Sequence, residues 1–172
     1  IGRLLVGDVM GVRAAYLDTL MALRRRALGT WEVSSRVRLT KTPEQYARTQ
    51  QARREVSYEA LLANGRRAWS LGDRVRVYRT RAGTGGLVEE NDEGGPRGIG
   101  ADPRDYDVEH YARLLRETYA SRLARAFGPH DYGAVFADPA QMEMFATEIA
   151  AIRPILTRQE RIVGFRESRR LQ

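Results

Sequence analysis

Apolar side chains recur near helical spacing at Val9, Val12, Tyr16, Leu20 and Leu23, which predicts an amphipathic helix over residues 8–28. Arg24, Arg25 and Arg26 fall in its last turn, where cations complement the helix dipole, and Gly29 supplies a stop. That run reads as a solvated helix end. The period then changes to two. Trp31, Val33, Ser35, Val37 and Leu39 alternate with Glu32, Ser34, Arg36 and Arg38, predicting a strand with one apolar and one polar edge. Thr42-Pro43-Glu44-Gln45 carries a helix start: Thr42 can cap, Pro43 suits the first helical position, and Gln45 can close a capping box. This helix is expected to run to Asn64-Gly65, with Tyr46, Ala52, Val56 and Ala60 toward a core and Arg48, Arg53 and Arg54 pointing elsewhere. After a turn at Leu71-Gly72-Asp73 comes a second short strand, Arg74 to Tyr78.

Residues 82–104 break the pattern. They hold seven glycines and two prolines among Glu89, Glu90, Asp92 and Glu93, and read as a flexible acidic loop. Helical spacing resumes near Asp107, with Val108, Tyr111, Leu115, Tyr119, Leu123 and Phe127 on one face, and Gly128-Pro129 ends it. A last helix is expected from Asp138-Pro139, with Met142, Phe145, Ile149 and Ile152 inward, stopping before Pro154. The tail from Arg158 is short, charged and expected to fray. No internal repeat is visible. The elements predict a mainly α fold with a small β element (α+β).

At 172 residues and 42% hydrophobic, the chain is large enough to bury a core. It has no cysteine, which excludes disulfides and thiolate metal sites and fits a reducing cytosol. No apolar run approaches the ~20 residues that span a bilayer, and no signal peptide is recognisable. The chain opens on Ile1, which fits a segment of something longer.

Charge adds the strongest functional hint. Between Arg36 and Arg79 stand eleven basic residues against Glu44, Glu55, Glu59 and Asp73, a net +7 that equals the charge of the whole chain. A basic stripe on an otherwise balanced body suits a polyanion. Lys41 is the only lysine among 29 basic residues, and arginine's planar fork suits bidentate phosphate contact. A GC-rich coding bias would explain the identity of these residues, though less well their placement. On a strand Arg36, Arg38 and Thr40 project to one side, so two guanidiniums and a hydroxyl can line a groove. Lys41 stands at its exit, before a helix whose N–H groups favour phosphate. The plainer reading is an exposed polar strand face.

Other constellations carry less. Asp105-Tyr106-Asp107 has a D-x-D spacing that can gather magnesium ligands, but acids before a helix are ordinary caps, and no second carboxylate site accompanies them. The glycines at 83–100 match neither a Walker loop nor a dinucleotide fingerprint. His110 and His130 are too far apart for a zinc motif and sit in no recognisable triad. Tyr111, Tyr119 and Phe127 recur every eight residues, a core stripe rather than a stacking platform.

Taken in order, three segments resemble the C-terminal part of family B DNA polymerases: Arg38-Leu39-Thr40-Lys41-Thr42-Pro43-Glu44-Gln45-Tyr46, then Leu71-Gly72-Asp73-Arg74-Val75, then Asp105-Tyr106-Asp107-Val108-Glu109-His110-Tyr111. The family has an L-T-K-x-P-x-x-Y run before a helix that approaches the duplex, a P-G-D-x-V-x-Y strand, and D-Y-D-x-x-Y-Y opening the next helix. The likeness covers roughly residues 36–127. Leu71 stands where proline is common, His110 where a tyrosine is expected, and the loop 82–104 is longer than the usual link. The palm motifs D-x-x-S-L-Y-P and Y-G-D-T-D, which carry the family's metal-binding aspartates, do not occur in these residues.

The resemblance implies a helical thumb-like lobe: residues 1–35 leading in from the palm, 36–157 forming the DNA-binding thumb, and 158–172 a tail. It implies a DNA-directed DNA polymerase, a nucleotidyltransferase of replication or repair, working in the cytoplasm at the nucleoid. This chain would not be catalytic by itself and would hold no cofactor, the Mg²⁺ ions belonging to the parent palm. Its partners would be double-stranded primer–template DNA and the remainder of the polymerase, in the same chain or as a separate subunit, with no membrane. Lys41, Arg36 and Arg38 with Thr40 would lie nearest the palm, and Arg48, Arg53, Arg54, Arg66, Arg67, Arg74 and Arg76 along the backbone. Two other readings share the pattern, a free-standing basic nucleic-acid-binding module and a subunit of a split polymerase.

Overall fold

The computed structural model describes residues 2–97, 101–139 and 148–155. In chain order these form α1 (Gly2–Leu5), α2 (Val9–Arg24), α3 (Thr30–Val33), β1 (Ser35–Arg38), α4 (Pro43–Thr49), α5 (Val56–Ala63), β2 (Arg74–Arg79), β3 (Gly85–Val88), α6 (Val108–Leu114) and α7 (Pro129–Val135). The chain is mainly α with a small antiparallel sheet, an α+β fold. Ala22–Ala112 makes one compact unit; the described residues of 2–21 and 113–155 make another.

In the 22–112 unit the sheet runs in the order β1-β2-β3. Val37 pairs with Val75, and Val77 with both Ser35 and Leu87, so one face is apolar. That face packs on α5, in a core of Leu39, Tyr46, Tyr58, Ala60, Leu61, Val75 and Val77.

The expected helix over 42–64 is two helices. Its start is as predicted, with Thr42 and Gln45 exchanging capping hydrogen bonds and Pro43 at the first position. The chain leaves the helix after Thr49 and resumes at Val56. Along one continuous helix Tyr46 and Tyr58 would stand about 18 Å apart. The break lets their rings stack at 4.4 Å, while the Tyr46 hydroxyl accepts from the Glu55 N–H at 3.2 Å. Arg53 and Arg54 consequently lie in the exposed link rather than on a helix, and Ala52 and Val56 are exposed instead of core. The end at Asn64-Gly65 is a Schellman turn, with Gly65 at φ 74 and the N–H of Arg66 bonding the Leu61 carbonyl.

The strand expected from Trp31 to Leu39 is shorter. Local bonds hold 30–33 in a helical turn: the Gly29 N–H donates to the Glu32 carboxylate at 2.7 Å, and the Ser34 hydroxyl to the Trp31 carbonyl at 2.7 Å. The first helix also ends early, at Arg24. Arg26, at φ 52, is not a solvated helix end: its guanidinium donates to the Tyr106 carbonyl at 2.9 Å and lies over that ring.

The loop expected over 82–104 is in part a strand and a second turn. Gly85–Val88 completes the sheet, and Glu90 bridges Pro96 across a turn in which Asn91 bonds the Gly95 N–H at 2.7 Å. A β-carbon on Gly85 would meet the Val56 carbonyl oxygen at 2.3 Å, so β3 approaches α5 this closely only through a glycine. Asp105-Tyr106-Asp107 lies along the end of β2, with Arg81 N–H bonding the Asp105 carbonyl at 2.7 Å and Asp107 N–H the Arg79 carbonyl at 2.9 Å.

In the other unit, Val9, Val12, Tyr16 and Leu20 are buried as their spacing predicts. The Tyr16 ring meets Phe136 edge-on at 5.3 Å, and Arg13 donates to the Ala134 and Val135 carbonyls at the end of α7. The helical run after α6 loosens and then tightens: Leu115–Tyr119 is a π-helical turn and Ala120–Ala126 is 3₁₀. The extra residue in the π turn rotates the buried face, so Tyr119 is 54% exposed and Ala120 takes the inward place. Gly128-Pro129 ends the run as expected, and Pro129 also opens α7, which the pattern did not announce. Of the last expected helix, Ile149–Ala151 is a 3₁₀ turn and Ile152 is buried. Met142, Phe145 and the tail from Arg158 lie outside the described residues.

Candidate nucleic-acid interface

Strand alternation sorts the basic stripe. The β1–β2 register sets Arg36 opposite Arg76 and Arg38 opposite Arg74. Directly opposed residues share a face, so these four arginines line the side of the sheet away from α5. Following β3 by twos, Val88 and then Glu90 reach the same face.

Glu90 is the hub. One carboxylate oxygen pairs with Arg36 Nε at 3.0 Å and the other with Arg76 Nε at 3.0 Å, and its side chain is only 14% exposed. Arg76 is further fixed by Trp31, whose ring centroid is 3.8 Å from its guanidinium carbon, and it reaches the Ser34 hydroxyl at 3.4 Å. The Arg38–Arg74 pair has no such anion among the described residues. The Arg38 guanidinium lies beside Gly72, where a β-carbon would meet it at 3.3 Å; Gly72 is at φ 92. Next to this face an open groove of about 580 Å³ is lined by Arg66, Arg74, Arg76 and Arg97, with Glu89 and Glu90. Arg97 and Glu89 form a loose pair at 3.6 Å.

The remaining residues of the stripe are placed differently. Lys41 is not a free cation at a groove exit. Its Nζ pairs with Glu55 at 2.6 Å and reaches the Thr49 hydroxyl at 3.3 Å. Of the N–H groups at the start of the helix expected to favour phosphate, those of Thr42 and Gln45 are already used in the capping box, and those of Thr40 and Lys41 ahead of it donate to the Tyr58 hydroxyl, both at 2.9 Å. Arg48 is exposed on α4 with Glu44 in its field, Arg54 stands near Glu59, and Arg53 and Arg67 are exposed without an ion pair among the described residues. The structure thus brings together Arg36, Arg38, Arg74 and Arg76, with Arg66 alongside. Arg48, Arg53 and Arg54 belong to the helical layer over the opposite face. Trp31, Ser34, Glu90 and Arg97 were missed. The one available signal was the acidic pair Glu89-Glu90 in the loop that follows the second arginine-bearing strand.

The D-x-D carboxylates do not face a common point. Asp105 accepts from the Tyr78 hydroxyl at 2.8 Å, whereas Asp107 pairs with Arg79 at 3.1 Å and caps α6 through the His110 N–H at 3.0 Å. Burial, then the Asp105 carboxylate, pushes the Tyr78 phenol well above its usual range. These are structural partners and do not fit a magnesium pair. Among the described residues no cluster of three or more acids and histidines is arranged to hold a metal, and no helix is long and apolar enough to cross a membrane. Comparison with known protein families, characterised proteins and solved structures finds no match.

Proposed function

We propose that this chain is the DNA-binding thumb portion of a family B-like DNA polymerase, gripping primer–template duplex through sugar and phosphate. The catalytic palm and its magnesium ions would lie outside these residues. The observation that carries the reading is the sheet face, where two arginine pairs stand opposed across one ladder and a single glutamate offsets one of them. Such a face offers guanidinium forks to phosphate and little that distinguishes one base from another, which suits a protein that must accept every sequence. The ordered likeness of residues 36–127 to the family supplies the polymerase context.

The test is a titration of a labelled duplex with the full chain at several salt concentrations. Five or six phosphate contacts give a log–log slope of about −5, because each neutralised phosphate contributes about −0.9. Affinity independent of salt, or strong preference for one sequence, would contradict the reading.

A further inference from the structure

We propose that the arginine face seats two consecutive phosphates of one nucleic-acid strand, one between Arg38 and Arg74 and the next between Arg36 and Arg76, where Glu90 is a resident anion that the second phosphate displaces. This rests on the nucleic-acid reading of the same face and says how that face grips.

Three observations carry it. Like charges directly opposed on a ladder repel, so each arginine pair calls for an anion. The fold supplies one to Arg36 and Arg76 and, among the described residues, none to Arg38 and Arg74. Second, Glu90 shows what fits. Its two oxygens bind two different guanidiniums at 3.0 Å each, an arrangement that the two non-bridging oxygens of a phosphodiester reproduce. Third, the two seats are two residues apart along each strand, an advance of about 6.6 Å, comparable with the spacing of successive phosphates on one strand. Arg36 is 45% exposed, so an incoming phosphate can reach the occupied seat from solvent, and the groove toward Arg66 and Arg97 leaves room for the sugar.

Glu90 reaches the face at the start of the turn closed by Asn91 and Gly95, beyond the last residue of β3. Its withdrawal therefore leaves the β2–β3 strands paired. Exchange of this kind keeps one anion between the two guanidiniums whether or not nucleic acid is bound.

The test uses the full chain and two labelled oligothymidylate 12-mers with the same number of neutral methylphosphonate linkages. In one they alternate with phosphates; in the other they are grouped at one end. Two adjacent seats require about tenfold weaker binding of the alternating strand, and the difference should vanish in Arg38→Gln/Arg74→Gln. Glu90→Gln should bind the grouped strand at least about threefold more tightly, with a steeper salt dependence, because no resident anion competes. Circular dichroism of each variant reports folding, and the comparison of the two strands on the unaltered chain does not depend on any variant. Equal affinity for the two strands, or a difference that survives in the double variant, overturns the two-seat arrangement. A folded Glu90→Gln chain with unchanged or weaker affinity overturns the exchange. Binding of oligothymidylate with the expected pattern but none of duplex would instead overturn the thumb reading and leave the seats standing.

Discussion

Tyr46 shows how much one hydroxyl can organise. It donates to Glu59 at 2.5 Å and accepts from the Glu55 N–H at 3.2 Å, so it ties both ends of the α4–α5 break to one buried ring. Tyr46→Phe leaves the packing and removes both bonds, which should cost about 1–3 kcal/mol in urea unfolding at neutral pH. The cost should depend on pH. Hydrogen bonds from Tyr46 and then Gln50 hold the Glu59 carboxyl below its ordinary value of 4.5. A depressed folded value means that the stabilisation is complete above the unfolded value and is lost as pH falls through the folded one. The gap between the original chain and Tyr46→Phe should therefore narrow on acidification below about pH 4. A gap that is constant from pH 7 to pH 3 would show that the Glu59 bond contributes nothing.

The elements that the sequence announced are those whose signals are local. Thr42-Pro43-Glu44-Gln45 made its capping box, Asn64-Gly65 made its Schellman stop, and 74–78 formed a strand. What the pattern could not carry were choices made by distant contacts. A helical period cannot reveal that two tyrosines twelve residues apart will stack, and a glycine-rich loop looks the same whether or not a strand hides in it. Gly85 is such a case, because its role depends on where α5 lies. Gly85→Ala places a methyl group against the Val56 carbonyl and 2.8 Å from the Ala60 side chain, both on a helix that cannot yield easily. The expected loss is about 3 kcal/mol, within the range for overpacked cores. Gly94→Ala makes a control: at φ 78 and with nothing within 4 Å of the added carbon, it bears backbone strain alone and should cost about 1 kcal/mol. Equal melting temperatures for the two variants would mean that β3 is free to move away from α5.

Over the whole chain, net charge and placed charge make different predictions. The basic stripe was legible as a count, and half of the site was legible from alternation, since Arg36 and Arg38, like Arg74 and Arg76, sit two apart on strands. The pairing that opposes them, the anion that serves one pair, and the diversion of Lys41 into a bond with Glu55 depend on register and folding back. Three charge-reversed double variants separate these levels: Arg38→Glu/Arg74→Glu on the open sheet face, Arg53→Glu/Arg54→Glu in the α4–α5 link, and Arg113→Glu/Arg125→Glu elsewhere. Every one of these side chains is exposed, and each pair changes the net charge equally. If binding were a property of the +7 alone, all three would weaken duplex binding alike and shift its salt dependence together. A gripping sheet face requires the first to lose at least about tenfold in affinity and to flatten the salt slope by about one unit, since the phosphate seated between Arg38 and Arg74 is lost. The third should change affinity by less than about threefold, since neither residue belongs to the basic stripe or to the sheet face. The second tells whether the helical layer also meets the duplex. A loss there as large as in the first pair would mean that DNA wraps both layers, and no loss would confine the grip to the sheet. Equal losses in all three variants, each still folded by circular dichroism, would leave diffuse attraction as the whole of the binding and remove the sheet face as its cause.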